Sequence, residues 1–214
     1  MKRKPPIREN PLLFNNGEII KLYGESLKIL ILPFEVKEKE ILSSIQDGLI
    51  ETLPQARCSV STDSLPIPKI AYNISRRQYL SSVFLRNISD YAATKGNREE
   101  FNKILGVTDV DLYAPGLNFI FGEAQFLGKA AVISLYRLRP EFYGDQPDWD
   151  LFVERAIKEA VHEIGHTIGL RHCPNPPCVM HFSLHIGITD RKHKEFCGKC
   201  RLKIEEMLNM SRDL

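Results

Sequence analysis

The sequence predicts an α/β or α+β protein in which a sheet packs on two helices. The segment 27–34 is a mostly apolar run, as expected of a buried strand. The segments 35–53 and 76–96 have helical character, and strand-like runs with Gly and Pro turns between them occupy 102–138. A strand–helix–strand–helix order followed by more strands indicates a sheet with helices packed against it.

Each of these elements has its own sequence signal. In 35–53 the apolar residues recur at helical spacing with charged residues between them: Val36, Ile41, Ile45, Leu49 and Ile50. The segment 58–73 predicts a strand followed by an irregular return. The helix over 76–96 is predicted to end at Gly96.

The second half of the chain predicts three strands, one long helix and then loops. The strand-like runs are 102–113, 117–126 and 129–138. A helix is predicted from about Asp150 to Ile168, with an apolar stripe formed by Phe152, Ala156, Ala160, Ile164 and Ile168. Beyond it the chain is rich in Pro, Cys and His and is expected to be loop-like.

Composition is that of an ordinary globular protein, with 43% hydrophobic and 26% charged residues among 214. The 29 basic and 27 acidic side chains nearly balance, so neither nucleic acid nor a membrane is an expected partner. No apolar run has the length of a signal peptide or of a transmembrane helix, so we expect a cytoplasmic protein. We also expect the protein to be a monomer. The expected division is an arm over 1–26, a main subdomain over 27–168 and a C-terminal subdomain over 169–214.

The predicted long helix carries the residues of a zinc site. His162 and His166 are four apart, so their side chains lie one above the other on the helix. Glu159 and Arg155 precede them by one and two turns on the same side. Such a pair of imidazoles suits zinc, and Glu163 can reach a zinc-bound water as a general base without binding the metal itself.

A third ligand follows at a fixed offset. A chance HExxH is expected in roughly one in a hundred chains of this composition. Adding Gly169 and His172 lowers this to roughly a few in a hundred thousand. Glycine tolerates the left-handed conformation that ends a helix sharply and turns the next residues back. Three protein ligands leave one position open, as in catalytic zinc sites.

Four of the five cysteines form a second predicted site. Cys173 and Cys178 bracket a Pro-rich turn, and Cys197 and Cys200 bracket Gly-Lys, which predicts a four-cysteine structural zinc site. The alternatives are two disulfides, or a redox dithiol at Cys197 and Cys200. In extended backbone consecutive side chains diverge, so His172 and Cys173 are expected to serve different metals. The prediction is therefore two Zn²⁺ per chain, one catalytic and one structural.

These motifs together, "HEIGHTIGLRHC", "PNPPCVM" and "CGKC", closely resemble those of the archaemetzincins, zinc metallopeptidases of the metzincin clan, and the resemblance covers about 27–210. It implies a metzincin-like mixed, mostly parallel sheet with two backing helices, an active-site helix and a small zinc-stapled C-terminal subdomain. It also implies that Met180 lies beneath the imidazoles and that "FGEAQF" (121–126) is the edge strand that pairs with substrate. The alternative for this strand is an ordinary sheet edge that binds no ligand. Phe182 stands where some clan members have a tyrosine, so no oxyanion donor is assigned.

The predicted activity is hydrolysis of peptide bonds through a zinc-bound water, with Glu163 as general base and then general acid, on a peptide or protein substrate. Internal cutting and aminopeptidase activity both remain open. A metzincin-like scaffold that binds peptide or protein with little or no turnover is the main alternative, since the tyrosine is absent. Nucleic-acid binding through the basic stretch 191–203 is a further alternative, although only one aromatic residue interrupts that stretch.

Overall fold

The computed structural model describes residues 14–15, 18–19, 27–94 and 101–210. Its strands are β1 (Phe14–Asn15), β2 (Glu18–Ile19), β3 (Leu27–Phe34), β4 (Ala56–Val60), β5 (Tyr72–Asn73), β6 (Gln78–Leu80), β7 (Lys103–Thr108), β8 (Leu112–Tyr113), β9 (Gly122–Ala124) and β10 (Ala130–Ser134). Its α-helices are α1 (Glu40–Thr52), α2 (Ser81–Thr94), α3 (Trp149–Ile168), α4 (Ile186–Arg191) and α5 (Gly198–Met210). Short 3₁₀ turns span Lys69–Ala71, Tyr136–Leu138 and Pro140–Tyr143.

The main sheet has five strands in the order β4-β3-β7-β10-β9. The first four run parallel, and β9 pairs antiparallel with β10 at one edge. Two smaller sheets accompany it: the hairpin β1-β2 and the three strands β5-β6-β8. The expected fold class, a mixed and mostly parallel sheet with packed helices, is confirmed.

Both faces of the main sheet are buried, which explains the continuous apolar run of β3. Ile29 and Ile31 point to the face covered by α1 and α3, whereas Leu30 and Leu32 point to the face covered by α2. Burying an isoleucine or leucine side chain contributes about 1.5 to 3 kcal/mol. The sheet is therefore held rigidly between helices, and β9 lies at its edge beside α3.

Two elements differ from the sequence prediction. The helix predicted over 76–96 begins only at Ser81, because 78–80 form β6 and pair with β8. Arg77 has φ of 54°, which interrupts any helix before that strand. The predicted stop at Gly96 lies outside the described residues.

The second difference is α5, a 13-residue helix in a region expected to be loop-like, which also contains the short helix α4. In α5, Cys200 and Ile204 face the core and Met207 and Leu208 are half-buried against it, whereas Leu202 and the charged residues are exposed. Such a narrow apolar stripe gives a weak periodic signal in the sequence.

The core beneath α3 is continuous across the predicted boundary at 168/169. Ile164 before the boundary and Met180 and Phe196 after it belong to one cluster of buried side chains. The division into subdomains stays a prediction. No helix in the described ranges combines the length and the apolar character that crossing a membrane requires.

Candidate active site and cysteine cluster

The helix α3 is defined at both ends by local interactions. At its start the Asp148 carboxylate accepts a hydrogen bond from the Leu151 N–H at 3.0 Å, which caps the helix. At its end Gly169 adopts φ of 116°, and its N–H bonds to the carbonyls of Gly165 and His166. A Cβ at Gly169 would also lie 2.5 Å from Leu127 Cδ2. Glycine therefore allows the chain to turn back at this point, as the sequence predicts.

The three predicted histidines come together beside this turn. Nε2 of His162 and Nε2 of His166 are 3.1 Å apart, and the ring of His172 lies 5.3 and 4.8 Å from theirs, centroid to centroid. One ligand-capable nitrogen from each ring lies within 4.8 Å of the others. The three rings thus form one cluster.

Backbone carbonyls orient two of these imidazoles. His162 Nδ1 is 2.8 Å from the carbonyl oxygen of Val179, and His166 Nδ1 is 2.7 Å from that of Leu170. A carbonyl only accepts, so each Nδ1 carries the hydrogen and each Nε2 presents a lone pair. Burial lowers the pKa of His162, His166 and His172, which favours the neutral ring that binds metal.

The cluster fits a zinc ion in its donor chemistry and its spacing. Zinc–nitrogen bonds of 2.0–2.1 Å in a tetrahedron place neighbouring nitrogens about 3.3 Å apart, close to the 3.1 Å between His162 and His166. His162 is buried while His172 is exposed at the cleft. Three neutral imidazoles could hold the ion and leave one side open toward the cleft.

Glu163 is buried against the edge strand. Its side chain meets Gly122 of β9 so closely that a Cβ there would lie 2.6 Å from Glu163 Cγ. Burial, and secondarily the Glu159 carboxylate, raise the pKa of Glu163 well above its usual value. Sequence reasoning placed Glu163 correctly beside the histidines but missed Gly122, because a contact between a strand and a helix leaves no local signal.

Glu159, one turn earlier on α3, forms a buried ion pair beneath the site. Lys192 Nζ lies 3.0 Å from Glu159 Oε1, and both side chains are almost completely buried, at 0% and 4% exposure. The Thr189 hydroxyl donates to the same oxygen at 3.1 Å. This pair joins α3 to the residues around α4. The spacing in α3 correctly predicts the side on which Glu159 lies, but no pattern identifies its partner.

Arg155, two turns before the histidines, reinforces the same junction. Its Nε and Nη2 donate to the two carboxylate oxygens of Asp190 at 2.7 and 2.9 Å. Bidentate arginine–carboxylate pairs are the more strongly oriented kind. The histidine side of α3 is therefore fixed against α4 at two successive turns.

A cleft of about 660 Å³ opens above the histidine cluster. Strand β9 and α3 form one side, the loop 114–120 forms another, and 182–184 closes a third. Arg76 fixes the loop, since its Nη2 donates to the carbonyls of Leu117 and Asn118 at 2.7 and 2.9 Å. The Phe182 ring lies 4.7 Å from the ring of His172. The cleft therefore passes directly over the predicted metal ligands.

The free edge of β9 faces this cleft. Phe121 O accepts from Ser134 N, and Gln125 N donates to Ala130 O, both toward β10. Backbone groups alternate in direction along an antiparallel strand, so those of Gly122 and Ala124 point to the opposite side. Among the described strands none pairs with that side. "FGEAQF" is thus an edge strand, as expected.

The four clustered cysteines also come together. The Sγ atoms of Cys173, Cys178, Cys197 and Cys200 lie within 4.8 Å of one another. Cys173 Sγ and Cys197 Sγ are 3.8 Å apart, the separation that zinc–sulfur bonds of 2.3 Å give in a tetrahedron, about 3.8 Å. A disulfide would require about 2.05 Å. This donor set fits a closed zinc site, and His172 and Cys173 contribute to separate clusters, as predicted.

Met180 links the two clusters to the core. It is fully buried, and its sulfur would lie 2.5 Å from a Cβ placed on Gly165 of α3. The preceding carbonyl, of Val179, orients His162, and its own carbonyl accepts from the Cys173 N–H at 2.9 Å. The segment 178–181 therefore lies beneath the histidines, as the resemblance implies.

Comparison with known proteins agrees with this geometry. Residues 34–206 match the model of peptidase family M54. The chain belongs to that family. The chain is also 44% identical over 187 residues to the archaemetzincin of Pyrococcus furiosus. The matched region covers 84% of this chain and 93% of that protein.

Solved structures similar to this M54 chain share its fold. The archaemetzincin of Methanopyrus kandleri matches with a TM-score of 0.74 and 35% identity, over 86% of this chain and 96% of that one. A zinc-dependent peptidase from Methanocorpusculum labreanum matches with a TM-score of 0.71 and 32% identity, over 82% and 99%. The resemblance found in the sequence motifs is confirmed.

Proposed function

We propose that this chain is a zinc-dependent metallopeptidase in which His162, His166 and His172 hold the catalytic zinc. The observation that carries the proposal is that three imidazoles converge beside the buried Glu163. Backbone carbonyls orient two of the rings, and the third faces the cleft. Membership in a peptidase family supports it, as does the similar structure described as a zinc-dependent peptidase.

In the proposed reaction Glu163 moves the proton. A bound zinc would polarise the scissile carbonyl and lower the pKa of the attacking water. Glu163 takes the proton of that water and later delivers it to the leaving amine. Its buried position raises its pKa, so its carboxylate is a stronger base than an exposed one.

The edge of β9 is the proposed binding surface for the substrate backbone. The outward N–H and C=O groups of Gly122 and Ala124 can add an extended peptide to the sheet. Phe182 and the loop 114–120 would contact its side chains across the cleft. A peptide seated in this way passes over the histidine cluster.

The second zinc is proposed to be structural and bound by Cys173, Cys178, Cys197 and Cys200. Four thiolates fill the coordination sphere and leave no position for substrate. The ion would join the segment after α3 to the start of α5 and so support Met180 below the histidines. Location in the cytoplasm and a monomeric state stay predictions.

The test compares zinc-loaded wild type with Glu163→Gln on a mixed peptide library, read by mass spectrometry. We expect the variant to keep its zinc and its fold and to lose about 10²- to 10⁴-fold in rate, the range for a general base. Equal cleavage by both proteins would overturn the role of Glu163. No cleavage by either protein, with zinc bound, would favour the scaffold alternative. The absence of a hydroxyl group at Phe182 supports that alternative.

The same cleavage sites distinguish two kinds of peptidase. Release of single N-terminal residues would indicate an aminopeptidase, whereas fragments of several residues would indicate internal cutting. The cleft is lined along β9 by residues 121–124 and by Phe126, a length that suits an extended peptide of several residues and supports internal cutting.

A further inference from the structure

The charged side chains around the cleft are unevenly distributed. Of the described residues that line it, Glu123, Glu159 and Glu163 are acidic, and Arg171 alone carries a guanidinium or ammonium group. Glu159 is paired with Lys192, and the Ser81 hydroxyl bonds to Glu123. In contrast, no carboxylate in the described ranges pairs with Arg171.

Arg171 is exposed yet held in place. Its guanidinium carbon lies 4.9 Å from the centroid of the Phe126 ring, in a cation–π contact. Phe126 is itself on the turn 125–128 between β9 and β10, which is anchored to the end of α3. Leu127 N donates to the His166 carbonyl at 3.2 Å, and Lys103 Nζ donates to the carbonyls of Gly128 and Thr167. The backbone that carries the Phe126 ring is therefore anchored to α3 and β7.

The position of Arg171 relative to the reacting bond follows from the direction of β9. Gly122, at the start of this strand, contacts Glu163, and Leu127, just beyond its end, contacts Gly169. The strand thus runs alongside α3 in the same direction. A peptide pairing antiparallel with β9, the commoner mode of strand pairing, enters beside Phe126 and leaves beside Gly122. Arg171 then contacts its residues on the N-terminal side of the scissile bond.

We propose that Arg171, stacked on Phe126, forms a subsite for an acidic side chain of the substrate upstream of the cleaved bond. This inference rests on the proposed peptidase function and specifies its substrate class. Phe126 lies four residues along the chain from Gly122, which contacts Glu163, so in this register the acidic residue would lie roughly two to four positions before the scissile bond. A guanidinium recognises a carboxylate with two parallel hydrogen bonds, and the stacking leaves its edge available.

The size of the effect is limited by exposure. Ion pairs at a solvent-accessible site are weak, so we expect kcat/KM to rise by about two- to fivefold for Glu over Gln at the preferred position. The change should appear in KM with little effect on kcat, because the contact is the same in ground and transition states. High salt should reduce it.

The experiment uses one internally cleaved library peptide, with Glu, Gln or Lys placed in turn at four positions on each side of the cleavage site. Wild type, Arg171→Gln and Arg171→Glu are compared at equal zinc content. Arg57→Glu is the matched control, since Arg57 is an exposed residue on β4 at the opposite edge of the sheet. We expect wild type and Arg57→Glu to prefer Glu upstream, Arg171→Gln to show no preference, and Arg171→Glu to prefer Lys.

Three outcomes would overturn the subsite: equal kcat/KM for Glu and Gln at every upstream position, a preference that survives Arg171→Glu, or a preference found only downstream. Failure of the peptidase function is separately visible. If wild type cleaves nothing, the dissociation constants of the zinc-loaded protein for the Glu and Gln peptides, measured by fluorescence anisotropy, still test Arg171. Equal dissociation constants would refute the subsite, and tighter binding of the Glu peptide would support it.

Discussion

Replacing Gly122 with alanine tests how closely the edge strand must approach Glu163. The new Cβ would lie 2.6 Å from Glu163 Cγ and 2.7 Å from its Oε1. Carbon atoms in contact are about 3.5 to 4.0 Å apart, so the glutamate or the strand has to move by about 1 Å. Glu163 is buried and Gly122 is half-buried at this point, which leaves few alternative positions for the carboxylate.

The expected loss follows from that displacement. A 1 Å misplacement of a reacting group costs about 10²-fold, which corresponds to about 2.7 kcal/mol of transition-state stabilisation. We therefore expect kcat of Gly122→Ala to fall about 100-fold while zinc content stays at the wild-type level. Overpacking should also lower the free energy of unfolding by about 1 to 3 kcal/mol.

The assay is steady-state cleavage of a library-derived peptide, normalised to folded protein, together with zinc analysis and urea unfolding. Gly106→Ala is the matched control, because Gly106 lies on β7 of the same sheet. Its new Cβ would lie 2.7 Å from Cδ1 of Ile88 in α2, on the face of the sheet opposite α3. It should lose similar stability and keep its kcat. A Gly122→Ala protein with kcat within threefold of wild type would refute the reasoning that Glu163 must stay where β9 holds it.

Two further predictions concern metal content and the buried ion pair. His166→Ala and Cys178→Ala should each lose one zinc by elemental analysis; the first should lose activity and the second should lower the melting temperature. Two zincs retained in either variant would contradict the ligand sets. Lys192→Met should lower the free energy of unfolding in urea by about 3 to 5 kcal/mol, because it leaves Glu159 buried without its partner. Adding Glu159→Gln to Lys192→Met should restore part of that lost stability. A cost below about 1 kcal/mol for Lys192→Met would refute the stabilising role of the ion pair.

Much of the candidate site could be predicted because its geometry is local. His162 and His166 share a helix face through the helical repeat, and Gly169 ends the helix through a backbone conformation available within one turn. His172 and the cysteine pairs follow at short spacing. The fold class was similarly accessible, since the strand–helix order is visible in apolar periodicity.

Elements were mispredicted where pairing between distant segments decided the outcome. Residues 78–80 form a strand because β8 is available to pair with them, although their sequence continues smoothly into α2. The helix α5 is stabilised by the burial of Cys200 and Ile204 rather than by a strong repeat of its own. Local propensity is a weak guide in both cases.

The amino-acid sequence alone determined the types of the candidate ligands, their order and the helix that carries them, because these depend on residues within a few turns of one another. Tertiary structure alone decided which groups surround them. The approach of Gly122 to Glu163, the pairing of Lys192 with Glu159, and the stacking of Arg171 on Phe126 join segments far apart in the chain. Such contacts arise when the sheet edge, α3 and α4 pack together, and they set the burial and charge that the chemistry requires.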